Sequence, residues 1–241
     1  MKPFVILQTR PEDIASEGEY KSFLELGKLS SQELIRIRMD QGKFWKIDFS
    51  KISGIILPGS PFNASNKNRP TQQKRIEDEI FYLLKRIIKD DFPFLSICYG
   101  MGILGVYTDT KVTKKYAENL SVVNIELTDI GQKDKLLKGI RHTFPSPTGH
   151  KLALEEIPES AKLLATGEKC PIQMIRLKNN IYSTQFHPEL NYQSLAVRMK
   201  VYKDHGYFLP QEMNKILAAA KQHKYSDTNK IIQNFINLYQ K

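Results

Sequence analysis

Cysteine is nearly absent from this chain: Cys98 and Cys170 are the only two in 241 residues. Two thiols cannot build the multi-bridge framework of a small secreted scaffold, and no Cys/His cluster has the spacing of a zinc site. No metal site is therefore expected. Internal repeats and low-complexity tracts are also missing, which excludes solenoids and disordered linkers. No secretory leader is visible, because Met1-Lys2-Pro3 runs directly into the strand-like Phe4-Val5-Ile6-Leu7, and a cytoplasmic location is the expectation. Long uncharged runs are scarce too. The one that warrants a membrane test, Phe92 to Thr108, is broken by Pro93, Gly100, Gly102 and Gly105, a punctuation that suits strand, turn and helix packed inside a soluble fold.

What is present is an ordinary globular balance of 41% apolar and 26% charged residues, enough to bury a core in one domain with or without an appendage. The net charge of +10 raises a nucleic-acid partner, since clustered cations release counterions from a phosphate backbone. The lysines are too dispersed for that. Lys111, Lys114 and Lys115 form one small group and Lys221 and Lys224 another, neither in a recognition pattern, so neither a nucleic-acid nor a membrane partner is expected.

Phe4 to Gln8 reads as a buried strand, and Leu34 to Met39 alternates Ile35, Ile37 and Met39 with Arg36 and Arg38, as a strand with one wetter face would. Gly54-Ile55-Ile56-Leu57 is a third strand, stopped by Pro58-Gly59-Ser60-Pro61. From Thr71 to Asp90, Ile76, Ile80, Leu83, Leu84, Ile87 and Ile88 follow helical spacing, and Pro93 leads into the strand Phe94-Leu95-Ser96-Ile97. Strand, helix and strand in this order imply a parallel crossover. Further strands are expected at Ser121 to Leu127, Ile172 to Leu177 and Ile181 to Phe186, the last two joined as a hairpin by Lys178-Asn179-Asn180. After about Tyr192 the pattern is helical. The class is α/β with an antiparallel addition, divided as a main domain over 1–205 and a helical extension over 206–241 packed on it. Phe44 and Trp45 are expected in the core, and Cys170 as a buried structural thiol.

Chemistry concentrates in two places. In Ser96-Ile97-Cys98-Tyr99-Gly100-Met101-Gly102 a strand ends at Cys98 and a helix begins at once, with small residues two before and two after the cysteine. A sharp strand-to-helix turn crowds those positions, so the pattern suits a nucleophile elbow, and a helix amino terminus favours the reactive thiolate. In Gln185-Phe186-His187-Pro188-Glu189, Pro188 holds His187 extended. If that conformation continues, Glu189 can bond one imidazole nitrogen while the other faces a thiolate, the orienter, base and nucleophile arrangement of acyl transfer.

With these residues in place, the chain resembles the class I (triad) glutamine amidotransferases, in particular stand-alone proteins similar to the amidotransferase domain of GMP synthase. The matching segments are Ile55 to Pro61, Ser96 to Met101, Gly149-His150-Lys151, Leu164-Ala165 with Cys170 to Gln173, and Thr184 to Glu189. The resemblance implies a flavodoxin-like three-layer fold with Cys98 as nucleophile, His187 as base and Glu189 as its orienter. Gly59 and the amide of Tyr99 would form the oxyanion hole, with Ser60, Pro61, Gly102, His150, Gln185 and Phe186 as substrate-binding candidates. It implies hydrolysis of the glutamine side-chain amide through a thioester to glutamate and ammonia, without cofactor. A synthetase partner would be a separate chain, because this one has no Ser-Gly-Gly-x-Asp-Ser loop and no P-loop.

Two departures from the family pattern bear on substrate: Gly102 stands where a glutamine is usual, and Gly149-His150-Lys151 where many relatives carry Ser-His-Gly-Asp. They leave open a γ-glutamyl hydrolase acting on another γ-glutamyl compound, or a regulatory protein without catalysis. The dinucleotide-binding reading of Gly100, Gly102 and Gly105 with Glu126 leaves the His187 motif unexplained.

Overall fold

Short apolar runs alternate with helical segments through the first hundred residues, the arrangement that parallel strands require for their crossovers. In the computed structural model, which describes residues 2–42, 46–64 and 69–241, these become β1 (Phe4–Gln8), α1 (Asp13–Gly27), β2 (Leu34–Arg38), β3 (Gly54–Leu57), α2 (Thr71–Lys89), β4 (Phe94–Ile97) and α3 (Tyr99–Tyr107). The chain continues through β5 (Val112–Thr113), β6 (Glu118–Leu127), α4 (Asp129–Gln132), β7 (Thr143–His150), β8 (Ala153–Leu154), β9 (Ala161–Gly167), β10 (Met174–Leu177) and β11 (Ile181–Thr184). It ends in α5 (Tyr192–Val201), α6 (Met213–Lys221) and α7 (Ser226–Tyr239). Phe44 and Trp45 lie outside the described residues.

One nine-stranded sheet runs in the order β2-β1-β3-β4-β11-β10-β9-β6-β7. Its first five strands are parallel, and β10, β9, β6 and β7 extend it with antiparallel pairings. Helices cover both faces. On one, α2 buries Ile76, Ile80, Leu84 and Ile87 beside α3. On the other, Phe23 of α1 joins Ile231, Ile232 and Phe235 of α7, and the Phe235 ring lies 6.0 Å from that of Phe4. The carboxyl-terminal helix thus completes a layer of the main core. Among the described residues no helix is long and apolar enough to cross a membrane.

Three local differences from the sequence pattern have physical causes. α1 carries no apolar stripe, because the residues it buries include Ala15, Ser16, Glu19, Ser22 and Gly27, small or polar side chains beside the single large Phe23. β7 contains Pro145 and Pro147, which hide it from a strand reading but are tolerated because β7 is a sheet edge. Ile35, expected on a buried face, is 42% exposed. β2 is the opposite edge, where Arg36 and Arg38 lie over α1 in ion pairs with Glu17 and Asp13, and Met39 leaves the strand for a single helical turn.

Candidate active site

The parallel pairing of β4 with β11 decides the site. It places the ends of both strands side by side, with the Cys98 N–H donating to the Thr184 carbonyl at 2.7 Å. Cys98 occupies φ 51°, ψ −93°, a conformation costly for a side chain bearing a Cβ and characteristic of strained functional turns. The crowding expected around it is real. A Cβ on Gly100 would lie 2.6 Å from the Ser96 Cβ and 3.1 Å from the Leu57 carbonyl oxygen.

Beyond β11 the chain bends at Gln185 and Phe186, and the His187 N–H donates to the Pro147 carbonyl at 2.9 Å; the extended run expected through Glu189 gives way to a turn at Pro188-Glu189, closed by the Leu190 N–H on the His187 carbonyl at 3.3 Å. His187 Nδ1 lies 2.8 Å from Glu189 Oε1, and both residues are buried. Arg198 of α5 donates from Nη1 to the same Glu189 oxygen at 3.1 Å and from Nη2 to Glu19 at 3.3 Å. Arg10, just past β1, pairs with Glu19 at 2.8 Å through Nε. A continuous ionic chain therefore runs from His187 to α1. Burial disfavours the imidazolium, but the Glu189 carboxylate and the hydrogen bond with Cys98 outweigh it and raise His187 to about 9. Burial likewise opposes ionisation of Glu189, yet His187 and Arg198 hold its carboxyl well below the usual range.

Cys98, His187 and Glu189 are thus brought together, and Gln185 joins them with Nε2 3.8 Å from the Cys98 sulfur. Gly59 sits against all this. A Cβ there would be 2.9 Å from His187 Cε1, 3.0 Å from Arg10 Nη2 and 3.7 Å from Cys98 Cβ, so only glycine lets the loop approach. The Gly59 N–H has no partner among the described residues, and the Tyr99 N–H, in the first turn of α3, has none within the helix. Two open amides beside a thiol can bind an oxyanion.

Two clefts meet at Cys98 and share Ser60, Gly149 and Tyr207. One, of about 40 Å³, is walled by His187, Arg10, Arg198, Met199, Tyr202 and Phe208. The other, of about 30 Å³, holds Tyr99, Gly102, Ala64, His150 and Lys151. Three substrate-binding expectations are corrected, the first being Gln185, which lines neither cleft and instead points its amide at the Cys98 sulfur. Phe186 is fully buried and packs edge-on against Phe144 at 5.8 Å, while the bend after β11 turns Gln185 to the side of the thiol. Pro61 lines neither cleft. The loop turns at Ser60, whose Oγ accepts from the Phe62 N–H at 3.2 Å, and the turn carries the intervening Pro61 past the opening. His150 edges the second cleft, but its nitrogens are engaged behind it, with Glu118 at 2.8 Å and the Leu152 carbonyl at 3.1 Å. Glu118, His150 and Cys170 bring their donor atoms within 4.8 Å of one another. Burial pushes the Cys170 thiol up to about 12, and Gln173 closes the group with a 2.9 Å bond to Glu118, so it forms a buried hydrogen-bond network.

Arg10, Glu19, Arg198, Tyr202 and Tyr207 carry no motif and are absent from the sequence reading. Only Arg10 left a usable signal, since it follows the carboxyl end of a parallel strand, where sites of open α/β sheets gather.

A family profile described as glutamine amidotransferase class-I matches residues 21–205. The chain is 33% identical over 145 residues to a GMP synthase (glutamine-hydrolyzing) of Borreliella burgdorferi, covering 60% of this chain and 26% of that protein. It is 30% identical over 152 residues to a GMP synthase (glutamine-hydrolyzing) of Petrotoga mobilis, covering 63% of this chain and 27% of the relative. The chain thus spans about a quarter of the length of these relatives. A crystal structure of a glutamine amidotransferase from Thermotoga maritima superposes with a TM-score of 0.81 at 17% identity over the full length of both chains, a likeness of fold.

Proposed function

The chain belongs to the class-I glutamine amidotransferase family, and on that premise we propose that it hydrolyses the side-chain amide of glutamine through a Cys98-His187-Glu189 triad. The observation that carries this is the buried Glu189 carboxylate 2.8 Å from His187 Nδ1, with the Cys98 thiol on the other side of the ring. Cys98 sulfur attacks the γ-carbonyl, and the amides of Gly59 and Tyr99 receive the developing oxyanion. His187 protonates the departing ammonia and then takes a proton from the water that releases glutamate. Glu189 keeps the imidazole oriented and stabilises its charged form, and Arg198 holds Glu189. No step calls on a cofactor. The named relatives suggest that the ammonia is passed to an acceptor bound by a synthetase, and a cytoplasmic setting fits that chemistry.

Labelling with a glutamine-like diazoketone tests the proposal. The modified peptide is expected to contain Cys98, and modification of Cys170 with Cys98 untouched would overturn it. Buried and protonated, Cys170 lacks the reactivity for this chemistry.

Gly102 favours a second reading, hydrolysis of a different γ-glutamyl compound, because the usual glutamine side chain is missing from the substrate cleft. The free chain should then be a weak glutaminase, at a cost of about 1–3 kcal/mol for the unpaired substrate group. A Cβ at 102 would lie 3.0 Å from the Ala64 Cβ, so Gly102→Gln alone must displace that loop. Gly102→Gln combined with Ala64→Gly is expected to lower the KM for glutamine about tenfold, whereas an unchanged KM in initial-rate assays would show that the missing group does not limit binding.

A further inference from the structure

Tyr207 has no part in the mechanism above, yet it stands where the two clefts meet. Cys98, Ser60, Gly149 and Tyr207 line both of them, so a substrate with its carbonyl at the Cys98 sulfur and its ends in the two clefts passes these four residues. Three of them are accounted for. Cys98 is the nucleophile, the Ser60 Oγ is engaged by the Phe62 N–H at 3.2 Å, and Gly149 has no side chain. The Tyr207 hydroxyl has no partner among the described residues and makes no hydrogen bond with the thiol, whose sulfur faces Gln185 instead.

The rest of Tyr207 is held in place. Its carbonyl accepts from the Leu120 N–H at 3.0 Å, which ties the segment after α5 to β6. Lys151, one of the departures from the family pattern, donates from Nζ to the His205 carbonyl at 2.7 Å and lies 4.8 Å from the centre of the Tyr207 ring. Gly206, at φ 71°, makes the turn between those two contacts. A ring fixed by two backbone bonds and a cation over its face has little freedom left to lose when its hydroxyl is used. Burial, and then the nearby Cys98, push that hydroxyl up to about 12. At neutral pH it is therefore an uncharged phenol with an oxygen free to accept.

The reaction has a demand that such a group can meet. The amides of Gly59 and Tyr99 receive the carbonyl oxygen, and the guanidiniums of Arg10 and Arg198 in the adjoining cleft are donors as well. The nitrogen of the carboxamide needs the opposite. Its N–H bonds require an acceptor, and its lone pair must face His187 to receive the proton on which departure depends.

We propose that Tyr207 is a further catalytic residue, its hydroxyl oxygen accepting a hydrogen bond from the scissile amide nitrogen and turning the lone pair of that nitrogen toward His187, with Lys151 as the positioning residue that holds the ring. This rests on the triad reading above and adds to it a group that neither sequence motif contains. As the Cys98 S–C bond forms, the C–N bond breaks, the nitrogen takes the His187 proton, and ammonia leaves. Tyr207 itself neither gains nor loses a proton.

Initial rates of the full chain with glutamine and with the γ-methyl ester of glutamate test this, because the bridging oxygen of the ester has no hydrogen to give. Tyr207→Phe removes a hydroxyl without a partner, so the melting temperature should not move. Its kcat/KM is expected to fall about tenfold or more on glutamine and less than about threefold on the ester. Lys151→Met should give the same amide-selective loss in weaker form, and Lys151→Arg, which keeps a charge and donors at that place, should restore the rate. That pair carries the test should Tyr207→Phe fail to fold. A loss equal on the two substrates, or none on glutamine, would overturn the inference. If the natural chain turns over glutamine and is labelled at Cys98 while Tyr207→Phe behaves identically, this inference alone is defeated. Neither labelling nor turnover in the natural chain would remove the triad proposal and this inference with it.

Discussion

Cys98→Ala and His187→Ala are each expected to lower γ-glutamyl amide hydrolysis by about four orders of magnitude or more, and the double variant should lose little beyond either single one. Non-additivity is the informative part. A thiol and a base that act as one unit fail together, whereas independent binding contributions would multiply. Glu189→Gln should be milder, retaining a residual rate, because the residue touches neither substrate nor sulfur and acts by orienting the ring and stabilising its charge. Steady-state rates under matched folding controls decide, and full activity in His187→Ala would be incompatible with the triad. The same pair sets a pH dependence of stability. His187 has its pKa raised, from 6.5 to about 9, so its contribution is complete below 6.5 and disappears as the pH climbs through 9. Glu189 is lowered from 4.5, so its contribution is present above that value and is lost on acidification toward its depressed folded pKa. The gap in melting temperature between the natural chain and Glu189→Gln should be widest between pH 4.5 and 6.5 and should narrow on the alkaline side.

Gly100→Ala is expected to cost about 1–3 kcal/mol of stability through overpacking and to suppress labelling of Cys98. The added Cβ meets the Ser96 Cβ at 2.6 Å and the Leu57 carbonyl at 3.1 Å. The second contact is backbone in the middle of the sheet, so relief requires β3 and α3 to separate, and that movement carries the turn at Cys98 with it. Ser96→Gly combined with Gly100→Ala should recover part of the loss by removing the closer contact. Gly18→Ala is the control, because a Cβ there meets nothing within 4 Å and lies on a helix, where alanine is the better residue. Thermal melts of the four chains decide. A Gly100→Ala chain that melts and labels like the natural one would mean that the elbow tolerates the contact and that small residues are not what shapes it.

Cys98, His187 and Glu189 are legible because each sits in a local pattern with its own physical cause. Small residues flank a strand-to-helix turn, and a histidine and a carboxylate stand two residues apart around a proline, although a turn at Pro188-Glu189 rather than an extended segment brings them together. α2 and the apolar strands are legible for the same reason, since a stripe of one period can bury only one way. Sequence pattern is silent where burial is achieved by pairing rather than by apolarity. Glu19 is fully enclosed because Arg10, Arg198 and Gln8 surround its carboxylate, so α1 shows no stripe. Phe186 falls outside the site because adjacency in the chain is not adjacency in space. The bend after β11 leaves Gln185 by the thiol and Phe186 in the core beside Phe144.

The sequence by itself determined the family of the fold and singled out Cys98, His187 and Glu189 as candidates, since these depend on spacings of a few residues. Only the tertiary structure decided what surrounds them. Arg10, Arg198 and Tyr207 reach Cys98 from β1, α5 and the segment after it, so their convergence depends on strand order and helix packing that no local spacing encodes. Which cleft contains His187, and which contains Gly102, is likewise a consequence of β11 pairing beside β4.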